Sequence, residues 1–116
     1  CLEPTTGKEL GRTEIDWSET VTLRGKQREL DFGLGTGSLL HLGKDQFLCL
    51  TDNGHLLRLK CTPTSTTVQN RVSLFHAGET WTPLVLSRGL LYVCQNQREK
   101  IGNAPRRLLC FDLRGP

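Results

Sequence analysis

The 116-residue chain has no methionine at any position, including the first. An unprocessed reading frame begins with Met, so the chain is expected to be processed or to be a piece of a longer protein. No apolar run approaches the ~18–20 residues of a membrane-spanning helix. No positively charged start followed by an apolar stretch marks a secretory signal. Aromatic residues make up only 6%, and none is interleaved with basic residues as base stacking on nucleic acid requires. The five cysteines, Cys1, Cys49, Cys61, Cys94 and Cys110, are odd in number and contain no C-x-x-C spacing, which argues against a disulfide framework and a zinc site alike.

What is present is glycine, 12 residues of it, beside 36% hydrophobic and 23% charged residues. That mixture suits at most one β-rich domain with many turns, and is too apolar for a charged disordered segment. The net charge of +3 is mild, with its main cluster at Arg98, Lys100, Arg106, Arg107 and Arg114. Such a cluster serves either an anion-binding patch or a solvated loop; without interleaved aromatics the solvated loop is the expectation.

The chain divides into short apolar runs and turn signals. Thr82–Leu86, Leu90–Cys94 and Leu108–Leu113 each have the length of an average strand and are too short for an amphipathic helix. Ser87-Arg88-Gly89 is a turn between the first two. Ser38–Leu42, Phe47–Leu50 and His55–Leu59 repeat the pattern earlier. There Asp52-Asn53-Gly54 is the strongest hairpin signal, because an Asn-Gly pair accepts the two positive φ angles of a type I′ turn. Val68–Phe75 predicts a further strand. Aligning Ser38 with Thr82 gives a repeat of 82 − 38 = 44 residues, and periods of about 40–45 residues with several strands each are a mark of β-propeller blades.

Cys1–Arg12 holds a turn at Thr5-Thr6-Gly7-Lys8, followed by a predicted strand over Glu9–Thr13. This string resembles the end of a pyrroloquinoline-quinone-like (PQQ-like) β-propeller repeat, with Glu3 as the acidic strand end and Thr6-Gly7-Lys8 as the turn. Gly11 stands where that family has a Trp that docks neighbouring blades, so docking would have to come from another residue. The resemblance continues through Gly37–Leu59 and Val68–Phe75, and then Thr82–Leu113, with Phe111-Asp112-Leu113 at a characteristic strand end. Lys60-Cys61-Thr62-Pro63 departs from the pattern. The resemblance implies an all-β fold of two to three antiparallel four-stranded blades, an incomplete propeller. Residues 1–15 would end one blade, 37–76 form a blade and 77–116 an incomplete one. Residues 16–36 read as an inter-blade insertion, with a short strand at Val21–Leu23 and a polar turn over Arg24–Arg28. Blades of an open array expose apolar surface, so the chain alone is expected to be marginal or self-associating.

No catalytic constellation emerges. Gly33-Leu34-Gly35-Thr36-Gly37 lacks the Lys-Ser/Thr ending of a phosphate loop and no helix follows it; its glycines serve a bend or strand entry. Ser38, Ser73 and Ser87 lack a nucleophile-elbow context. Asp52-Asn53-Gly54 lacks the further oxygen ligands of a calcium loop. His41, His55 and His76 share no close spacing, so ligation of a metal would need assembly through the fold. Cys49, Cys94 and Cys110 lie within apolar runs, where free Cys is a small buried hydrophobe, although a Cys94–Cys110 bridge between neighbouring strands stays open. Trp81 is the residue of most interest, either packed between blades or exposed as an anchor for a ligand or partner.

The resemblance implies a non-catalytic scaffold or protein-interaction module of a bacterial periplasmic or secreted protein. Its partners would be other blades, a second copy or another protein, touched through Trp81, Arg98, Lys100, Arg106 and Arg107; nucleic acid is not expected. No cofactor is expected under that reading. One alternative is a piece of a quinoprotein dehydrogenase, which would hold PQQ and calcium, although the adjacent cysteine pair of those enzymes is missing. The other is the extracellular sensor region of a signalling protein. Lipid attachment at Cys1 is a minor alternative, because the repeat pattern already starts at Leu2.

Overall fold

Alternation of covered and solvated residues sets the architecture, strand by strand. A computed structural model describes residues 1–116 and contains nine strands and no helix, hence none long and apolar enough to cross a membrane. They are β1 (Asp16–Leu23), β2 (Lys26–Gly33), β3 (Gly37–Gly43), β4 (Gln46–Thr51), β5 (His55–Cys61), β6 (Thr66–Ser73), β7 (Val85–Ser87), β8 (Leu90–Gln95) and β9 (Arg107–Asp112). They form three antiparallel sheets in chain order: the hairpin β1-β2, the meander β3-β4-β5-β6 and the meander β7-β8-β9.

The four-stranded sheet is the middle layer. Successive side chains of a strand point to opposite faces, so β4 divides its apolar residues between two cores. Leu48 and Leu50 face one way and cluster with Phe75, Ala77, Leu84 and with Leu91 and Val93 of β8. Cys49 faces the other way with Leu57 and Leu59, and Ile15, Trp17 and Leu34 pack on them from the hairpin side. Leu50, Leu57, Leu91 and Val93 are fully buried. The shape is elongated, 50 × 34 × 26 Å with a radius of gyration of 15.5 Å, against about 13 Å for a compact chain of this length.

Most of the predicted strands from Gly37 onward are present, with corrections along the chain. Residues 16–36 are an eight-residue hairpin in register from Asp16↔Gly33 to Leu23↔Lys26, so β2 occupies what reads in sequence as polar turn and insertion. Trp17, Glu19, Val21 and Leu23 are its covered positions and the residues between them are exposed. The turn itself is only Arg24-Gly25, both at positive φ (50° and 76°). Glu9–Thr13 is not a strand; only the single bridge Leu2↔Glu9 forms, because this short segment folds back on Cys1 (Leu10 N–H to Cys1 O, 2.9 Å) instead of joining a sheet.

Gly11 lies against the Thr64 backbone, with room for no Cβ (2.7–2.8 Å), and the aromatic that packs the hairpin on the middle sheet is Trp17. The predicted Thr82–Leu86 strand shortens to Val85–Ser87. Pro83 has no N–H to give a ladder, and the Thr82 hydroxyl accepts from Asn96 Nδ2 at 2.9 Å.

Asn53-Gly54 is not a type I′ turn. Gly54 has φ 91° but Asn53 is not in the left-handed region, and Gly54 N–H closes on Thr51 O at 3.1 Å. A tertiary contact selects this wider turn. Gly54 sits under the Phe75 ring and its carbonyl accepts from Leu74 N–H at 3.0 Å. Among the cysteines, Cys49 is buried as expected, whereas Cys94 is half-buried and Cys110 exposed; all five are free. The residues opposite Cys94 and Cys110 are Leu108 and Tyr92, so the two thiols are not a directly facing pair.

Candidate functional site

Where the β1-β2 hairpin packs on the middle sheet, a polar cluster interrupts the apolar contact. Glu19 reaches it from the covered face of β1, His55 from the first residue of β5, and His76 from just beyond β6. The Gly54–Phe75 contact brings the two histidines together, since each flanks one of the touching residues. Their rings meet edge to face with centroids 5.5 Å apart.

The Glu19 carboxylate is divided between its two oxygens. Trp17 Nε1–H donates to Oε1 at 3.2 Å, and Arg71 Nε lies 3.5 Å from that same atom. His55 Nε2 is 3.1 Å from Oε2 and His76 Nε2 is 3.7 Å from it. The Ser73 hydroxyl is also 3.3 Å from His76 Nε2. Aromatic rings box the cluster: Phe32 tilts against His55 at 4.5 Å and Trp17 stands edge-on to it at 5.0 Å. The Arg71 guanidinium lies over the Trp17 ring at 4.9 Å.

Electrostatics here favour ionisation of the carboxylate and oppose protonation of the buried imidazole. Burial pushes His55 below its ordinary value and outweighs the hydrogen bond and charge of Glu19, which act in the opposite direction. For Glu19, partial burial works against ionisation. The hydrogen bond and charge of His55, the Trp17 N–H and the Arg71 charge together overcome it and hold the carboxyl below its usual range. The Nδ1 atom of His55 is buried without a partner.

A second feature occupies the same end of the molecule. Trp81 is 76% exposed, not packed between layers, and borders a cleft of about 290 Å³ lined by Thr36, Ser38, Asp52, Glu79 and Thr80. The loop after β6 is stitched to the loop after β8: Lys100 N–H donates to His76 O at 2.7 Å, and His76 N–H donates to Glu99 Oε1 at 3.2 Å. The basic cluster therefore has internal duties. Arg98 Nη1 donates to Asn103 O and Oδ1 at 3.2 Å each. Arg107 Nε donates to Gln95 Oε1 at 2.9 Å, and its Nη2 stands 3.8 Å from Glu99. Arg106 projects from the same loop and is exposed. Arg114 pairs with Asp112 at 2.6 Å, away from that loop.

The fold thus gathers two of the three histidines, while His41 stays apart, bound to Lys44 O at 2.9 Å. Glu19 does not stand out in the sequence, where its strand reads as part of an insertion. The alternation Trp17, Glu19, Val21 is the signal that would have placed it on a covered face. Compared with protein-family models, curated proteins and solved structures, the chain finds no match.

Proposed function

We propose that the chain is a run of PQQ-like propeller blades serving as a non-catalytic scaffold and protein-interaction module in a bacterial periplasmic or secreted protein. One observation carries this reading: the sheets stack with repeat-equivalent faces pointing the same way. β4 and β8 are related by 44 residues at both ends (90 − 46 and 95 − 51). Phe47, Cys49 and Thr51 face the preceding layer, and their counterparts Leu91, Val93 and Gln95 also face the preceding layer. A head-to-tail operator of that kind generates a propeller or an open stack of blades.

The operator leaves one face unused. Val85, Tyr92, Cys94, Leu108 and Cys110 share the far side of the last sheet, by their pairing in β7-β8-β9. Val85 is 55% and Leu108 67% exposed. The occupant we assign to it is another sheet of the same repeat, from the same array or a second copy. The outer face of the hairpin, in contrast, is polar (Ser18, Thr20, Glu29, Asp31), as befits a capped end. Trp81 and the Arg98–Arg107 loop supply a separate surface for a protein partner.

Sedimentation of the 116-residue chain against Leu108→Glu tests this. The wild type is expected to associate with rising concentration and the variant to stay monomeric with an unchanged unfolding midpoint. A wild-type chain that is monomeric throughout and binds no hydrophobic dye would overturn the blade reading.

A further inference from the structure

We propose that Glu19, His55 and His76 bind a divalent transition-metal ion of the imidazole-preferring class, zinc foremost, which clamps the β1-β2 hairpin to the middle sheet. This stands apart from the scaffold reading and rests on donor geometry. The three donor atoms lie within 4.8 Å of one another. Tetrahedral ligation at about 2.0–2.1 Å places donors roughly 3.3–3.4 Å apart. The two separations to Glu19 Oε2, 3.1 Å and 3.7 Å, bracket that distance, and no two of the three donors are more than 4.8 Å apart, so rotation of the side chains draws them around an ion.

The surrounding groups fit a ligand set. Metal-bound carboxylates are oriented by outer hydrogen bonds, and here Trp17 and Arg71 hold Oε1, leaving Oε2 to the two imidazoles. His55 is fully buried, while the side chains of His76 and Glu19 are 19% and 21% exposed, which gives an ion a way in. Nε2 of His55 faces the Glu19 carboxylate, and its other ring nitrogen, Nδ1, is buried without a partner.

Donor chemistry sets the class of ion. Calcium and magnesium require several oxygens, and this site offers one carboxylate with an arginine on its other oxygen. Two imidazoles and a carboxylate suit zinc and its neighbours. The Arg71 charge weakens the attraction, and the Glu99 carboxylate on the His76 amide returns part of it.

The test is titration of the tag-free chain with zinc and with cobalt, its accessible thiols first alkylated. Expected are one ion per chain, a rise in melting temperature, and a cobalt spectrum of nitrogen and oxygen ligation. Imidazole ¹⁵N resonances of His55 and His76 should move and those of His41 should not. Glu19→Gln and His76→Gln should each weaken binding more than about a hundredfold, beyond the loss seen for outer-shell partners. Imidazole shifts are read on the wild type, so they decide even where a variant misfolds. No saturable binding, unmoved His55 and His76 resonances, a thiolate-to-cobalt charge-transfer band, or undiminished binding by a folded His76→Gln chain would each overturn the site.

Discussion

Replacing Gly54 by alanine should damage the fold and the candidate site together, and Gly25→Ala is the matched control. Both glycines have positive φ, 91° and 76°, which costs an L-residue about 1–2 kcal/mol. They differ in what a Cβ would meet. At Gly25 there is open space; at Gly54 the new carbon overlaps the Phe75 ring and its carbonyl. The ring is 1% exposed and cannot swing into solvent without opening the core, so overpacking adds about 1–3 kcal/mol. Gly54→Ala should therefore cost about 2–5 kcal/mol and Gly25→Ala about 1–2 kcal/mol. Urea unfolding read by circular dichroism gives both numbers. Because Phe75 precedes His76 and Gly54 precedes His55, the same displacement should separate the imidazoles and weaken zinc binding at Gly54→Ala only. Equal costs at the two positions would refute the claim that the Gly54–Phe75 contact holds the histidines together.

Leu91→Ala, at a fully buried position between the two meanders, should cost about 2–5 kcal/mol; a loss under about 1 kcal/mol would mean that the layers do not share a core. Trp81→Ala should change stability by no more than about 0.5 kcal/mol and should abolish capture of a protein partner by the immobilised chain; retained capture would remove Trp81 from the contact surface. Burial pushes the Cys49 thiol up from 9.0 to about 11. The folded chain then keeps a proton that the unfolded chain loses. Its contribution is complete below pH 9 and fades as pH rises towards 11, a loss of about 2–3 kcal/mol. The stability difference between the native chain and Cys49→Ala should shrink across that range, and a pH-independent difference would contradict it. Exposed Cys1 and Cys110 should react with a thiol reagent in the folded state, and Cys49 only on unfolding.

The amino-acid sequence by itself determined the strands whose burial is strong on at least one face. β4 and β8 are built on apolar runs bounded by turns, and their 44-residue offset is legible in the residue order. It also determined where most turns fall, because Arg24-Gly25 and Arg88-Gly89 carry the paired positive φ that two-residue hairpins demand. β2 was illegible for a physical reason. The first half of KQRELDFG is exposed on both sides and only Leu30, Phe32 and Gly33 are partly covered, so too short an apolar alternation marks it, and its pairing with β1 supplies what its composition does not. Local propensity at Asn53-Gly54 favours a tight turn, and the Phe75 contact imposes a wider one.

The site belongs to tertiary structure alone. Glu19 and His55 are 36 residues apart, and each merely occupies a covered position on its own strand. No spacing rule within one strand could relate them. Packing the hairpin on the middle sheet set those two faces against each other, and the turn over Gly54 with the chain crossing at Phe75 brought His76 to the same oxygen.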